Sequence, residues 1–211
     1  MDLTLYADAS WTSPWVFHVM VALEELGLTY KVETRKLPLS FDERHRLQEY
    51  GVLGKVPCLA HGDFWLTESS AITEYLSETF ATAAHPVILP ADPKQRARAR
   101  QVMSWLRTSL TALREDRPTT SVFQRPVTKP MSEKGRQDCA ELVRVAEQLI
   151  GPDKTTLFDD WCIADTDLAL ALMRLMANSD TSLSKRLIDY CLAQWGRRSV
   201  RRYLAYIPTT S

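Results

Sequence analysis

Residues 10–27 read SWTSPWVFHVMVALEELG, and they follow the short apolar stretch LTLYA at 3–7. Ser13 before Pro14 is a favourable start for an α-helix, because serine caps the first turn and proline fits its first position. Apolar residues then recur at helical spacing, and Gly27 stands where helices commonly end. These residues predict a short strand followed by an α-helix.

Predicted strands and helices continue to alternate through the rest of the N-terminal part. Residues 29–35 alternate like a strand, 39–50 are charged and weakly helical, two short strands flank Gly62-Asp63, and a helix is predicted from about Ser70. The resulting order is β-α-β-α-β-β-α. Such an order predicts parallel strands at its start, an antiparallel hairpin at its end, and a thioredoxin-like fold.

After residue 80 the pattern becomes wholly helical. Prolines at 86, 90 and 93 predict a linker at 81–92. Helices are predicted at 93–117, 132–150, 163–177 and 183–206, with a proline-rich loop at 118–130. The fold class is therefore α/β plus all-α: a domain at 1–80, the linker, and an all-helical domain at 93–211.

Composition narrows the function classes. The chain has 26 basic and 26 acidic side chains, so its charge does not favour nucleic acid or an anionic membrane as a partner. The N-terminus lacks the basic cluster of a signal peptide, and no apolar run approaches the ~18 residues of a membrane span. Its four cysteines are scattered and its four histidines lack metal-ligand spacing. We expect reduced thiols, a cytoplasmic location and no metal site.

Four motifs occur in a fixed order: SPWV at 13–16, KVPCL at 55–59, TESSAI at 67–72 and WCIADTDLAL at 161–170. With a thioredoxin-like domain before an all-helical one, the chain resembles the cytosolic glutathione S-transferases over essentially its whole length. The stretches RARARQ and REDRPT are most similar to the bacterial YfcF-like branch. The resemblance implies that a glutathione thiolate attacks a small hydrophobic electrophile or an organic hydroperoxide. Glutathione is then a consumed co-substrate, and no tightly held cofactor is expected.

The motif SPWV stands where dithiol members of this fold carry cysteines, and it lacks both thiols. The thiolate must therefore arrive with glutathione. A hydroxyl donor at a helix N-terminus favours a thiolate over a thiol, so the resemblance implies that Ser13 is the catalytic hydroxyl. Ser10 is the second candidate and Thr12 the third. From the residues alone, a helix cap is the favoured role of Ser13. A Ser-His-Asp hydrolase is disfavoured, because His18 would point away from Ser13 on a helix.

The second motif, KVPCL at 55–59, implies hydrogen bonds to the peptide backbone of glutathione. By resemblance, Pro57 follows a cis peptide bond, and the N–H and C=O of Val56 pair with the cysteinyl backbone. Lys55 would reach the glycyl carboxylate. The sequence alone favours an ordinary trans proline at Pro57 that opens a strand, and an exposed Lys55 that is merely solvated.

The third and fourth motifs imply a carboxylate site and a structural cap. Ser69 would hold the α-carboxylate of the γ-glutamyl group at a helix start, and Glu68 would pair with its ammonium. The alternative is that Ser69 or Ser70 only caps the helix. Asp165 is predicted to be structural, within a capping box weakened by a cysteine, Cys162, at the cap position.

Other residues are ambiguous from sequence alone. An arginine run could border the cleft, and four aromatic side chains could shape the electrophile site, although solvated surface and core packing are the common roles of such residues. They are Arg96, Arg98, Arg100, Trp11, Trp15, Trp105 and Phe123. By family analogy we expect a homodimer. Two other functions stay open: a non-catalytic binding or interaction module, and glutathione-dependent reduction of small mixed disulfides.

Overall fold

The computed structural model describes residues 2–82, 88–180 and 183–208. These residues divide into two compact units. One runs to Ile88 and includes residues 202–208, and the other is formed by Leu89–Arg201. Five of the twelve residues of the predicted linker at 81–92, namely 83–87, lie outside the described residues.

The first unit has the predicted α/β order. Its described elements are β1 (Leu3–Asp8), α1 (Pro14–Glu25), β2 (Lys31–Arg35), α2 (Phe41–Gly51), β3 (Cys58–His61), β4 (Phe64–Thr67) and α3 (Ser69–Phe80). The sheet order is β2-β1-β3-β4. β1 and β2 are parallel, whereas β3 is antiparallel to both β1 and β4. The prediction of a thioredoxin-like fold is confirmed.

Helix α1 lies at the centre of this unit. Ser13 is its N-cap and Pro14 its first residue, as the sequence predicts. All residues from Val16 to Leu23 are buried, so the helix packs on more than one side. Gly27 follows with φ 63°, a left-handed conformation that glycine adopts at low cost and that ends the helix.

The second unit is helical. Its described helices are α4 (Pro93–Thr108), α5 (Thr111–Asp116), α6 (Thr120–Phe123), α7 (Glu133–Leu149), α8 (Ile163–Asn178) and α9 (Lys185–Trp195), and α10 (Arg198–Leu204) follows. Helix α8 is buried along almost its whole length and contacts α4, α6, α7 and α9. It is therefore the central helix of this unit.

Three helical predictions need correction. The single helix predicted at 93–117 is wrong: it is broken at Ser109 and Leu110, where Leu110 has a left-handed φ of 54° and is buried. The Thr108 hydroxyl bonds back to the Ser104 carbonyl, which competes with helix continuation. The helix predicted at 183–206 is likewise divided near Gly196, and the predicted loop at 118–130 contains the short helix α6.

Asp165 connects the start of α8 to its surroundings. Its carboxylate accepts the backbone N–H of Cys162 at 2.9 Å, the N–H of Leu157 at 2.7 Å and the hydroxyl of Tyr190 at 2.9 Å. All four residues are buried or nearly so. This carboxylate thus satisfies buried donors from the preceding loop and from α9, where an unpaired N–H would be costly.

Among the described residues, no helix combines the length and the apolar character needed to cross a bilayer.

Candidate functional site

Three of the four motifs lie at one end of the sheet. Tyr6 near the end of β1 pairs with Cys58 at the start of β3, and Cys58 pairs with Thr67 at the end of β4. The chain segments that leave or enter the sheet here carry Ser13, Val56-Pro57 and Glu68-Ser69. Antiparallel register therefore brings together residues that are more than fifty positions apart in sequence.

Ser13 is half-buried at the N-terminus of α1. Its Oγ accepts the backbone N–H of Val16 at 3.3 Å, which is the capping bond. Its own carbonyl accepts the N–H of Phe17 at 3.1 Å and the hydroxyl of Tyr203 at 3.4 Å. Since Oγ acts only as an acceptor within the described part of the chain, the hydroxyl hydrogen of Ser13 is available to a ligand.

Ser10 and Thr12 have a different environment. The Ser10 hydroxyl donates to Oδ2 of Asp8 at 2.8 Å, and that oxygen also accepts the N–H of Thr12 at 2.9 Å. The Ser10 and Thr12 hydroxyls lie 2.9 Å apart. Because Ser10 gives its hydrogen to Asp8, Thr12 is the donor of this last bond. Both hydroxyl hydrogens are thus used within the loop.

Asp8 itself is a buried carboxylate with 1% of its surface exposed. Oδ1 has no hydrogen-bond partner among the described residues. Sequence reasoning did not single this residue out. The signal was an acidic residue ending an apolar strand, followed by Ser-x-Thr, which can fold back onto a carboxylate.

Aromatic side chains cover the same loop. Trp11 has a left-handed φ of 54° and is buried. Its ring stacks on Tyr206 at a centroid distance of 4.3 Å and meets Tyr203 edge-on at 5.7 Å, while Phe17 meets Tyr203 at 4.9 Å. Trp11 therefore contributes to packing around the loop. Tyr203 was not predicted to take part, because nothing in its local sequence indicates a partner 190 residues away.

The second motif has a cis Val56–Pro57 peptide bond. Cys58 follows it at the start of β3 and is fully buried. Burial raises the pKa of the Cys58 thiol to about 12. This cysteine next to the candidate site is therefore a neutral thiol near pH 7 and a poor nucleophile.

The other cysteines, Cys139, Cys162 and Cys191, are also buried with a raised thiol pKa, and burial is the first cause in each case.

The third motif has an unusual backbone. Glu68 is the N-cap of α3 with φ 67° and ψ 112°, which is strained for a residue with a side chain. Its carboxylate makes no capping bond and instead lies 3.6 Å from Lys55 Nζ, with both side chains more than half exposed. Ser69 is buried as the first helical residue, so the alternative that Ser69 or Ser70 is the N-cap is wrong.

The remaining predicted residues have varied surroundings. Arg98 and Trp105 line a groove of about 470 Å³ between α4 and α7 in the second unit. Arg96 donates to the carbonyls of Pro90 and Ala91, before α4. Phe123 is buried, and Trp15 is half-buried. Within the described ranges, no group of three or more metal-ligating side chains is placed to hold a metal ion.

Comparison with known families now identifies the chain. Residues 12–79 match the model of the N-terminal domain of glutathione S-transferases, and residues 92–208 match the model of their C-terminal domain. The two matches together cover most of the sequence. The chain belongs to the glutathione S-transferase family.

Individual relatives agree with this. A probable glutathione S-transferase of Nicotiana tabacum is 31% identical over 157 residues, which is 74% of this chain and 64% of the tobacco protein. A probable maleylacetoacetate isomerase of Caenorhabditis elegans is 37% identical over 94 residues, 44% of this chain and 41% of that protein. The chain thus matches less than two thirds of the length of these curated relatives.

Solved structures match over nearly the whole chain. A glutathione transferase homologue from Burkholderia gl BGR1, crystallised with bound glutathione, has a TM-score of 0.78 and 33% identity, and the match covers 97% of each chain. A theta-class enzyme from Xanthomonas axonopodis pv. citri shares the fold with a TM-score of 0.74 at 19% identity, covering 99% of this chain and 98% of that one.

Proposed function

We propose that this chain is a glutathione transferase in which the Ser13 hydroxyl donates a hydrogen bond to the glutathione thiolate. The observation that carries the proposal is the difference between three neighbouring hydroxyls. Ser10 and Thr12 use their hydrogens within the Asp8 network, whereas Ser13 keeps its own. The bound glutathione in the Burkholderia homologue supports the choice of thiol.

The chemistry follows from the position of Ser13. A free thiol with a pKa of ~8.5 is only a few per cent thiolate at neutral pH. A donated hydrogen bond and the positive end of α1 both stabilise the anion, so they lower its pKa. The thiolate sulfur then forms a bond to an electrophilic carbon as the leaving group departs with the bonding electrons. With an organic hydroperoxide, the thiolate sulfur attacks the terminal oxygen and the O–O bond breaks, so that the alkoxide leaves and is protonated to the alcohol. The glutathione sulfenic acid formed on sulfur then reacts with a second glutathione to give glutathione disulfide and water.

The rest of glutathione is proposed to bind along the same end of the sheet. The backbone of Val56 pairs with the cysteinyl residue, and Pro57, through the cis bond, exposes that backbone. Ser69 at the start of α3 holds the γ-glutamyl carboxylate, while Glu68 takes the ammonium and Lys55 the glycyl carboxylate. The Lys55–Glu68 pair supports this, because opposite charges 3.6 Å apart suit a ligand that carries both signs.

Broader features of the proposal rest on family resemblance. They are membership of the bacterial YfcF-like branch, a small hydrophobic electrophile or hydroperoxide as second substrate, a homodimer, a cytoplasmic location, and a structural role for Asp165. The hydrogen bonds of Asp165 to two backbone N–H groups and to Tyr190 support the last of these.

The test is glutathione binding by calorimetry, followed by conjugation and peroxide-reduction assays. We expect binding at millimolar glutathione or below, and turnover that falls in Ser13→Ala. Failure of the wild-type chain to bind glutathione would overturn the proposal that it is a glutathione transferase. Binding without turnover on any electrophile or hydroperoxide would favour the non-catalytic module instead.

A further inference from the structure

The helical unit contains two arginine side chains without a carboxylate partner. Arg174 on α8 is buried, with 6% of its surface exposed, and Arg114 on α5 is half-buried. Neither forms an ion pair within the described residues. Two neighbouring arginines differ in this respect: Arg117 is paired with Asp180, at 2.6 Å from Nε to Oδ2, and Arg107 is paired with Asp167.

The contacts of these two side chains are to neutral acceptors. Arg174 Nη1 donates to the carbonyl of Arg117, the residue that follows α5. Arg114 Nη1 donates to the carbonyl of Arg107 near the end of α4, at 2.7 Å. Both guanidinium groups therefore lie at the junction of α4, α5 and α8, and no anion of the described chain balances their charge.

The two groups also act on each other. Burial, and next the positive charge of Arg114, lower the pKa of Arg174 to about 10. A buried charge is costly unless it is paired, and a second positive charge near it adds to that cost. A guanidinium has a planar set of donors that fits two oxygens of one oxyanion. A bound oxyanion would therefore offset both the cost of burying Arg174 and its repulsion from Arg114.

We propose that Arg114 and Arg174 together bind a small oxyanion, a phosphate or a carboxylate group, at the junction of α5 and α8. Arg174 is held in place by its Nη1 bond to the Arg117 carbonyl and supplies its remaining N–H donors, and the more exposed Arg114 supplies the second guanidinium and the route from solvent. All of its residues belong to the helical unit, whereas the residues proposed to hold glutathione belong to the first unit.

Thermal unfolding of the full chain tests this proposal in the absence of glutathione. Inorganic phosphate is titrated at constant ionic strength, with potassium chloride as the balancing salt, and acetate forms a second series. We expect a saturating rise in Tm of about 2–4 °C at several times Kd. A rise with phosphate alone indicates a phosphate-bearing ligand, and one with acetate alone a carboxylate-bearing ligand.

Variants connect the response to the two residues. Arg114→Gln is expected to abolish the rise, and Arg174→Met to abolish it while removing a buried charge. The matched control is Arg144→Gln, which removes an exposed arginine paired with Glu141 on α7 and should respond like wild type. No rise beyond the chloride series, or an unchanged rise in Arg114→Gln, would overturn the proposal. Arg114→Gln decides the question even if Arg174→Met does not fold.

Discussion

Ser10 donates its hydroxyl hydrogen to Asp8 across 2.8 Å, although the two residues are only two positions apart. The same carboxylate oxygen accepts the Thr12 N–H, so Asp8 closes the loop between β1 and α1. This contact orders the segment that carries Ser13 and uses the hydrogen of the competing serine. The choice between Ser13 and Ser10 as the thiolate donor therefore rests on Asp8.

Substitutions at Ser13 and Ser10 should have very different effects on kcat/KM. Ser13→Ala is expected to lower kcat/KM about 10–150-fold, because a hydrogen bond to a charged group contributes ~1.5–3 kcal/mol. Ser10→Ala should lower it far less, since its hydroxyl faces Asp8. Steady-state conjugation kinetics measure both. An equal loss in the two variants, or a larger loss in Ser10→Ala, would show that the donor is not assigned correctly.

Ser13→Gly distinguishes the role of Ser13 as a helix cap from its proposed role as the donor to the thiolate. Glycine is an acceptable N-cap, so the helix should lose only a few tenths of a kcal/mol, against ~1 kcal/mol for Ser13→Ala. Both variants lack the hydroxyl and should lose the same turnover, while Ser13→Thr keeps a hydroxyl and should retain most of it. Urea unfolding and kinetics on the same samples check this. Full turnover in Ser13→Gly would show that Ser13 is only a helix cap.

Asp8→Ala is expected to destabilise the first unit by about 1–3 kcal/mol, because it leaves the donors of Ser10 and Thr12 without their acceptor. Urea unfolding measures the loss. Asp2→Ala is the matched control: Asp2 is exposed at the other end of β1, 3.8 Å from an exposed Lys31 Nζ, and such pairs contribute little. Equal stability of the two variants would contradict the role of Asp8.

Tyr203→Phe should have a small and specific effect. The ring keeps its contacts with Trp11 and Phe17, and the hydroxyl bond to the Ser13 carbonyl is lost, at a cost of ~0.5–1.5 kcal/mol. Tyr203→Ala removes the whole buried ring and should cost ~3–5 kcal/mol. Thermal unfolding distinguishes the two. A severe loss in Tyr203→Phe would mean that the hydroxyl has a further buried role.

Acid should weaken one contact of the helical unit. The Ser132 hydroxyl, and next its backbone N–H, hold the pKa of Asp116 below its usual value. A lowered pKa in the folded state stabilises the fold above the unfolded pKa, and this stabilisation is lost as pH falls through the folded pKa.

Ser132→Ala should therefore destabilise more near neutral pH than at about pH 3, in addition to the ~1 kcal/mol of its helix cap. Urea unfolding at both values measures the difference. Ser104→Ala, on the exposed face of α4, should show none. A Ser132→Ala effect that is the same at both pH values would contradict the Asp116 contact.

Local signals predicted much of the first unit. The start of α1 at Ser13-Pro14, the Gly62-Asp63 hairpin and the parallel β1–β2 pair all follow from short-range patterns, and the structure has them. Glu68 was singled out by its motif, but its left-handed backbone was not predicted, because no glycine or turn signal at this position indicates a positive φ.

Long-range contacts explain what the sequence did not predict. The break at Leu110 places a buried side chain, and burial competes with helical propensity in a way that periodicity does not encode. Tyr203 contacts Ser13 from the opposite end of the chain. Arg174 appears in the sequence as one more polar residue in an apolar helix, and only packing shows that no carboxylate of the described chain lies beside it.

Whether Ser13 stabilises the thiolate is decided by the pKa of the glutathione thiol bound to the protein. Thiolate absorbance in the ultraviolet is followed against pH for wild type and for Ser13→Gly, each saturated with glutathione. We expect a thiol that is mostly ionised at pH 7 in wild type and that returns toward its ordinary pKa of ~8.5 in Ser13→Gly. An ordinary pKa in wild type, or a lowered pKa that survives in Ser13→Gly, would contradict the role of Ser13 as the thiolate donor.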